Sequence, residues 1–154
     1  MAQAKRIDPR AVRTRQLLLD SFNELKAGQS SIQSISVLDI TERAGVNRAT
    51  FYAHFRDKYE LLDVHIRERF KTLLKKKLPE KPTLNKDTLY TLIVATITVL
   101  EQHNQRSKRI NMQYEPLFRD TIQQELQDTL TIMLANSLIN LQNKDNPYLS
   151  AFLS

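Results

Sequence analysis

The chain has 154 residues, enough for one or two small domains, and its 41% apolar and 26% charged residues are ordinary for a globular protein. It contains no cysteine, which excludes disulfides, thiolate metal sites and cysteine nucleophiles. The net charge of +6 is uneven, because residues 1–58 hold 10 Lys/Arg against 6 Asp/Glu, whereas residues 82–154 hold 6 against 7. A basic first half is typical of a module that binds a polyanion.

The composition also predicts an all-α protein without a membrane-spanning segment. Only two glycines, Gly28 and Gly45, occur in the chain, and so little backbone freedom disfavours a loop-rich or all-β fold. The longest apolar-rich stretch, residues 88–100, is too short to cross a bilayer, and the N-terminus lacks an apolar run of signal-peptide length. We therefore expect a cytoplasmic protein with no membrane partner, which the lack of cysteine also suits.

The first two helices are predicted at residues 9–27 and 37–44. Pro9 suits the first turn of a helix, and Ser36 and Asp39 have the spacing of a capping box at the start of the second helix. The apolar stripe of the first helix is predicted to contain Ala11, Leu18, Phe22 and Leu25.

The third helix is short and has two distinct faces. Gly45 ends the second helix, and Asn47 is suited to cap a third helix of about nine residues. Phe51 and Phe55 are four residues apart, so they share a face and can anchor the helix to the first two. Two short helices joined by a glycine-containing turn predict a helix-turn-helix.

A different face of this helix has the chemistry of a surface that approaches DNA. Arg48, Ala49, Tyr52 and Ala53 lie on it. Small residues allow close approach, an arginine can reach a guanine edge or a phosphate, and a tyrosine hydroxyl can bind a phosphate.

The rest of the chain is predicted to form three longer helices, at residues 58–77, 86–103 and 116–142, with a proline-containing hinge near residues 78–85. Asp57 and Glu60 have the spacing of a capping box at the start of the first of these helices. The carboxylates of Glu125 and Asp128 are interpreted as a solvated face. The predicted apolar faces are Leu62, Ile66, Phe70 and Leu73, then Leu89, Ile93, Ile97 and Leu100, then Leu126, Leu130, Leu134, Leu138 and Leu141. The last is interpreted as intramolecular core, with pairing between two copies as the alternative.

The stretch SVLDITERAGVNRATFYAHFRDKYELL, residues 36–62, resembles the N-terminal DNA-binding signature of the TetR family of bacterial transcriptional regulators, and the resemblance covers roughly residues 9–66. It implies a basic arm at residues 1–8, a three-helix helix-turn-helix DNA-binding domain at residues 9–62, and a helical regulatory and dimerisation bundle at residues 63–154. Because family members usually continue past the position of Ser154, we expect a truncated chain or an unusually small second domain. The matching positions are Ala44, Gly45, Val46, Asn47, Thr50, Phe51, Tyr52, Phe55, Lys58, Glu60, Leu61 and Leu62.

The resemblance also implies roles for individual residues. For three residues there is an alternative that involves no DNA contact. Tyr52 would then be a half-buried packing residue, His54 a surface residue, and Lys58 a solvated residue at the start of its helix. The implied partners are double-stranded DNA, a second copy of the chain and a small-molecule effector that the sequence does not identify. The implied contacts are base contacts from Arg48, Ala49 and Ala53, and phosphate contacts from Ser36, Val37, Thr50, Tyr52, His54 and Lys58.

Three classes of function compete to explain these features. The first is a sequence-specific transcriptional regulator, a repressor that binds a palindromic operator as a dimer. The second is a helical co-regulator that keeps the DNA-binding head but acts by docking on another protein. The third, a small helical enzyme, lacks a nucleophile elbow, a phosphate-binding glycine loop, a zinc-protease pair and histidines at metal spacing. We expect no catalytic residues, no cofactor and no metal.

Overall fold

The computed structural model describes residues 8–28, 32–107 and 114–144. Residues 1–7 of the predicted basic arm and the C-terminal residues 145–154 lie outside them. Within the described residues every regular element is a helix, which confirms the predicted all-α class. None of the described helices is long and apolar enough to cross a membrane. In chain order the helices are α1 (Pro9–Gly28), α2 (Val37–Ala44), α3 (Arg48–His54), α4 (Lys58–Lys77), α5 (Lys86–Ser107) and α6 (Glu115–Lys144).

The described residues divide into two compact units. The first contains residues 8–28 and 32–65, and the second contains residues 66–107 and 114–144. Helix α4 contributes its first eight residues, up to His65, to the first unit and the remainder to the second.

The core of the first unit is built from all four of its helices and from one residue of the α1–α2 connection. The predicted stripe of α1 is partly wrong, because Ala11 is exposed and Leu25 is only half-buried, while Leu19 is buried beside Leu18. The side chains of α1 and α4 also meet where the Phe22 ring contacts the His65 ring edge to face, with centroids 5.9 Å apart. The buried apolar residues are Leu18, Leu19, Phe22, Ile35, Ile40, Phe51, Phe55, Leu61 and Leu62.

The second unit buries the predicted residues Ile66 and Phe70 of α4, but it buries different faces of α5 and α6 from those that the sequence predicts. In α4 the buried residue near the end is Leu74, whereas Leu73 is half-buried. The predicted faces of α5 and of the second half of α6 are wrong, since their leucines and isoleucines are mostly exposed. The residues that are buried instead are Leu92, Ala95 and Val99 in α5, and Phe118, Ile122 and Met133 in α6.

Glu125 of α6 is not on a solvated face, as the sequence suggests, because its side chain is only 2% exposed. Its Oε1 atom lies 3.0 Å from Arg67 Nη1 and 3.4 Å from Lys71 Nζ. Both cations belong to α4, so a buried carboxylate ties α6 to α4 within the second unit. Burying a charged group costs free energy unless partners of opposite charge, such as these, compensate for the lost water.

Candidate nucleic-acid interface

The turn between α2 and α3 depends on Gly45. Its φ of 67° and ψ of 31° are left-handed, and its N–H group donates to the carbonyl oxygens at the end of α2. A side chain in this conformation costs about 1–2 kcal/mol, because Cβ then crowds the following carbonyl oxygen. A Cβ atom added at this position would meet no neighbouring atom within 4 Å. Glycine is therefore required here by the backbone angle and not by packing.

The start of α2 carries the predicted capping box. Asp39 donates its N–H to Ser36 Oγ at 3.1 Å, and the Asp39 carboxylate accepts from both the Ser36 N–H and the Ser36 hydroxyl at 2.7 Å. These hydrogen bonds, the one from the hydroxyl first, lower the pKa of Asp39 below its usual value, and the positive charge of Lys58 adds to the effect. The Ser36 side chain is thus engaged in fixing the first turn of α2.

Helix α3 is shorter than predicted, with seven residues from Arg48 to His54. Asn47 caps it as expected, since its Oδ1 accepts from the Thr50 N–H at 2.8 Å. The helix ends early because Phe55 is extended, with φ of −141° and ψ of 133°. Helix α4 begins shortly afterwards, where Asp57 Oδ1 accepts the N–H of Glu60 at 2.9 Å.

The inner face of α3 is anchored by both phenylalanines, as predicted. Phe51 is fully buried and Phe55 is 2% exposed, with their ring centroids 5.8 Å apart. The guanidinium of Arg15, from α1, lies 5.4 Å from the centroid of the Phe55 ring. This cation–π contact joins α1 to the end of α3. No sequence pattern indicates it, because Arg15 is only one of several cations in a basic segment.

The outer face of α3 presents four of the nine predicted contact residues together. Arg48, Ala49, Tyr52 and Ala53 are all exposed, and Tyr52 retains 57% of its accessible surface. The Tyr52 ring meets Phe51 edge to face, with centroids 5.4 Å apart, which restricts the orientation of the exposed tyrosine. The arrangement combines a long cation, two small side chains and a phenolic hydroxyl on one accessible surface.

The remaining predicted contact residues lie in less open positions. Thr50 and His54 are half-buried, and the Thr50 hydroxyl donates to Asn47 Oδ1 at 2.9 Å. At the start of α2, Ser36 is exposed and Val37 is half-buried. Lys58 is half-buried, and its ammonium group donates to backbone carbonyl oxygens of the α1–α2 connection.

Comparison with known proteins agrees with this geometry. Residues 28–64 match the family model described as bacterial regulatory proteins, tetR family. An uncharacterized HTH-type transcriptional regulator, YxbF, from Bacillus subtilis (strain 168) is 42% identical over 62 residues. Those residues are 40% of this chain and 16% of that protein, so the chain matches only a small part of its relative. No solved structure matches the chain.

The fold and the exposed face of α3 define a helix-turn-helix protein. The family model that matches residues 28–64 is that of the bacterial regulatory proteins of the tetR family, which agrees with the resemblance seen in the sequence.

Proposed function

We propose that the protein is a sequence-specific DNA-binding transcriptional regulator, a repressor that binds a palindromic operator as a dimer and is released by a small ligand. The observation that carries the DNA-binding part is the accessible surface of α3, where Arg48 and Tyr52 are exposed next to the small residues Ala49 and Ala53. The family match of residues 28–64 supports the same interpretation. In this proposal residues 9–62 form the DNA-binding domain and residues 63–154 form the regulatory and dimerisation domain.

The proposed mechanism follows from the geometry of B-DNA. Helix α3 enters the major groove, where Arg48, Ala49 and Ala53 approach base edges. Ser36, Val37, Thr50, Tyr52 and His54 face the phosphates, whose contacts fix the orientation of the helix. Two copies read half-sites about 34–36 Å apart, and a ligand that favours another separation releases the operator by shifting populations. Such a regulator acts in the cytoplasm, where bacterial DNA lies.

Replacing Arg48 or Tyr52 by alanine is expected to weaken operator binding by about 1–3 kcal/mol, because each removes a direct contact to the duplex. The operator is first obtained by selecting bound duplexes from a random pool. Fluorescence anisotropy titrations at several fixed salt concentrations then compare the variants with the native chain.

Lys86→Ala is the matched control, because it removes one exposed positive charge from the start of α5 in the second unit. It should leave operator affinity nearly unchanged. If both α3 variants bind as tightly as the native chain, the proposed interface is wrong. If the native chain binds no duplex even at low salt, the protein-docking alternative replaces DNA binding altogether.

The proposed dimer would use the exposed apolar stripe of α6. Leu134, Leu138 and Leu141 follow one another at helical spacing and are between 49% and 61% exposed. No charged residue occurs between Asp128 and Lys144, so a second copy of this basic chain can approach here without repulsion between like charges. A continuous exposed stripe of this kind marks an interaction surface, and two-fold reading of DNA supplies the reason for a second copy as its occupant.

Placing a charge on this stripe is expected to separate the two copies. Leu138→Asp should raise the dimer dissociation constant by at least about tenfold, because an unpaired carboxylate would be buried at the interface. Sedimentation equilibrium over a range of concentrations measures the change. Asn140→Asp adds the same charge to the same helix, away from the stripe, and should have little effect. Equal dimer constants for Leu138→Asp and the native chain would exclude this surface.

A further inference from the structure

The ammonium group of Lys58, at the start of α4, is surrounded by backbone carbonyl oxygens. Its Nζ lies 2.8 Å from Ile35 O, 3.0 Å from Gln33 O and 3.4 Å from Ile32 O. A lysine ammonium has three N–H donors, so these three acceptors can use all of them. The side chain is half-buried, which separates part of this network from water.

The carbonyl oxygens belong to the segment that leads directly into α2. Ile35 donates its N–H to Ile32 O at 3.2 Å, which closes a turn, and the Ile35 side chain is fully buried. Ser36, the cap of α2, is the next residue, and its capping partner Asp39 has a pKa that is lowered chiefly by hydrogen bonds from Ser36 and additionally by the Lys58 charge. One ammonium group therefore acts on both the turn and the helix cap that follows it.

We propose that Lys58 is a positioning residue that fixes the start of α2 to the start of α4, and that it keeps its carbonyl partners when DNA is bound instead of binding a phosphate. The inference rests on the proposed DNA-binding function. It differs from the role that the family resemblance implies for this position. To bind a phosphate, the ammonium would have to leave at least two short hydrogen bonds to carbonyl oxygens, which would then lack that partner.

This arrangement makes the orientation of the helix-turn-helix depend on α4. Helix α2 leads into α3 through the short, hydrogen-bonded Gly45 turn, so we expect a displacement at the α2 cap to be passed on to Arg48 and Tyr52. Because Lys58 is the first residue of α4, any rotation of that end of α4 would move the α2 cap with it.

The first test separates positioning from phosphate contact by the salt dependence of operator binding. Each phosphate contact adds about 0.9 to the slope of log affinity against log salt concentration for B-DNA. Lys58→Met keeps the aliphatic stem but removes the charge. We expect it to lower affinity by at least fivefold with an unchanged slope. A slope reduced by about 0.9 in Lys58→Met overturns the proposal.

The second test needs no DNA and therefore separates this inference from the proposed function. Hydrogen exchange of backbone amides in the free protein, measured well below the melting temperature, should be at least tenfold faster for residues 35–40 in Lys58→Met than in the native chain. Exchange in α1 should be unchanged, which rules out general destabilisation. Native exchange rates at residues 35–40 contradict the proposal even if the protein binds DNA. If the native chain binds no duplex, DNA binding is rejected while the exchange result still decides the positioning role.

Lys58→Arg covers the case in which the methionine variant does not fold. It keeps the positive charge for a phosphate, but its planar group cannot direct three donors from one atom toward the three carbonyl oxygens. Positioning predicts faster local exchange and weaker operator binding in this variant, with an unchanged salt slope. Native exchange together with native affinity in Lys58→Arg would overturn the proposal.

Discussion

Phe51→Ala is expected to reduce the free energy of unfolding of the first unit by about 3–5 kcal/mol, the usual range for removing a buried phenyl ring. Phe51 is fully buried, and its ring packs against Phe55 on the inner face of α3. With only seven residues, α3 cannot be stable by itself and depends on this packing. A loss of this size is a large part of the stability of a small domain, so operator binding should fall with it. Urea unfolding followed by circular dichroism measures the change.

The neighbouring aromatic residue supplies the control. Tyr52 is 57% exposed and meets Phe51 only edge to face, so Tyr52→Ala should cost no more than about 1 kcal/mol. The two variants should therefore differ in what they lose. Phe51→Ala should lose stability, whereas Tyr52→Ala should stay folded and lose operator affinity. A stability loss in Phe51→Ala below that in Tyr52→Ala would mean that the inner and outer faces of α3 are assigned incorrectly.

Much of the first unit could be predicted from sequence because its signals are local. The cap residues Ser36 and Asn47 lie three positions from the backbone groups that they bind, and Gly45 marks the turn directly. The four-residue spacing of Phe51 and Phe55 is enough to separate the inner face of α3 from the outer one. The extended conformation of Phe55, which ends α3 early, has no comparably clear local signal.

The faces of α5 and α6 could not be predicted, because these helices carry apolar residues on more than one side. In α5, Leu92, Ala95 and Val99 are buried, whereas Ile93 and Ile97 of the predicted stripe are 49% exposed. Helical periodicity identifies both stripes but does not say which one faces the core of the second unit.

In the candidate site, the contacts of Lys58 with backbone carbonyl oxygens could not be predicted from the sequence either. Its acceptors lie 23 to 26 residues earlier in the chain, in a connection without regular structure, so only the fold brings them together. The same applies to Glu125, whose nearest cation, Arg67, is 58 residues away. In both cases the local sequence gives no sign of these partners, while the tertiary structure surrounds the charge with them.

Removing Arg67 is expected to have the second-largest effect on stability, because it would leave the carboxylate of Glu125 buried without its nearest partner. Removing one partner of a buried ion pair typically costs about 3–5 kcal/mol of stability. Arg67→Met should cost about 3 kcal/mol, at the low end of that range, since Lys71 remains 3.4 Å from the same oxygen atom. Lys71→Met should cost less than about 1 kcal/mol, because the Lys71 side chain is 64% exposed. Chemical denaturation of each variant, with the transition of the second unit followed separately, gives these values.

The double variant Arg67→Met/Glu125→Leu shows whether the stability loss of Arg67→Met comes from the unpaired carboxylate of Glu125. A buried ion pair replaced by apolar residues of similar volume is often as stable as the original, so the double variant should recover most of the stability that Arg67→Met loses. The double-mutant cycle should therefore give a coupling energy of about 1–3 kcal/mol between the two positions. Purely additive losses would mean that the contact between Arg67 and Glu125 does not account for the stability that Arg67→Met loses.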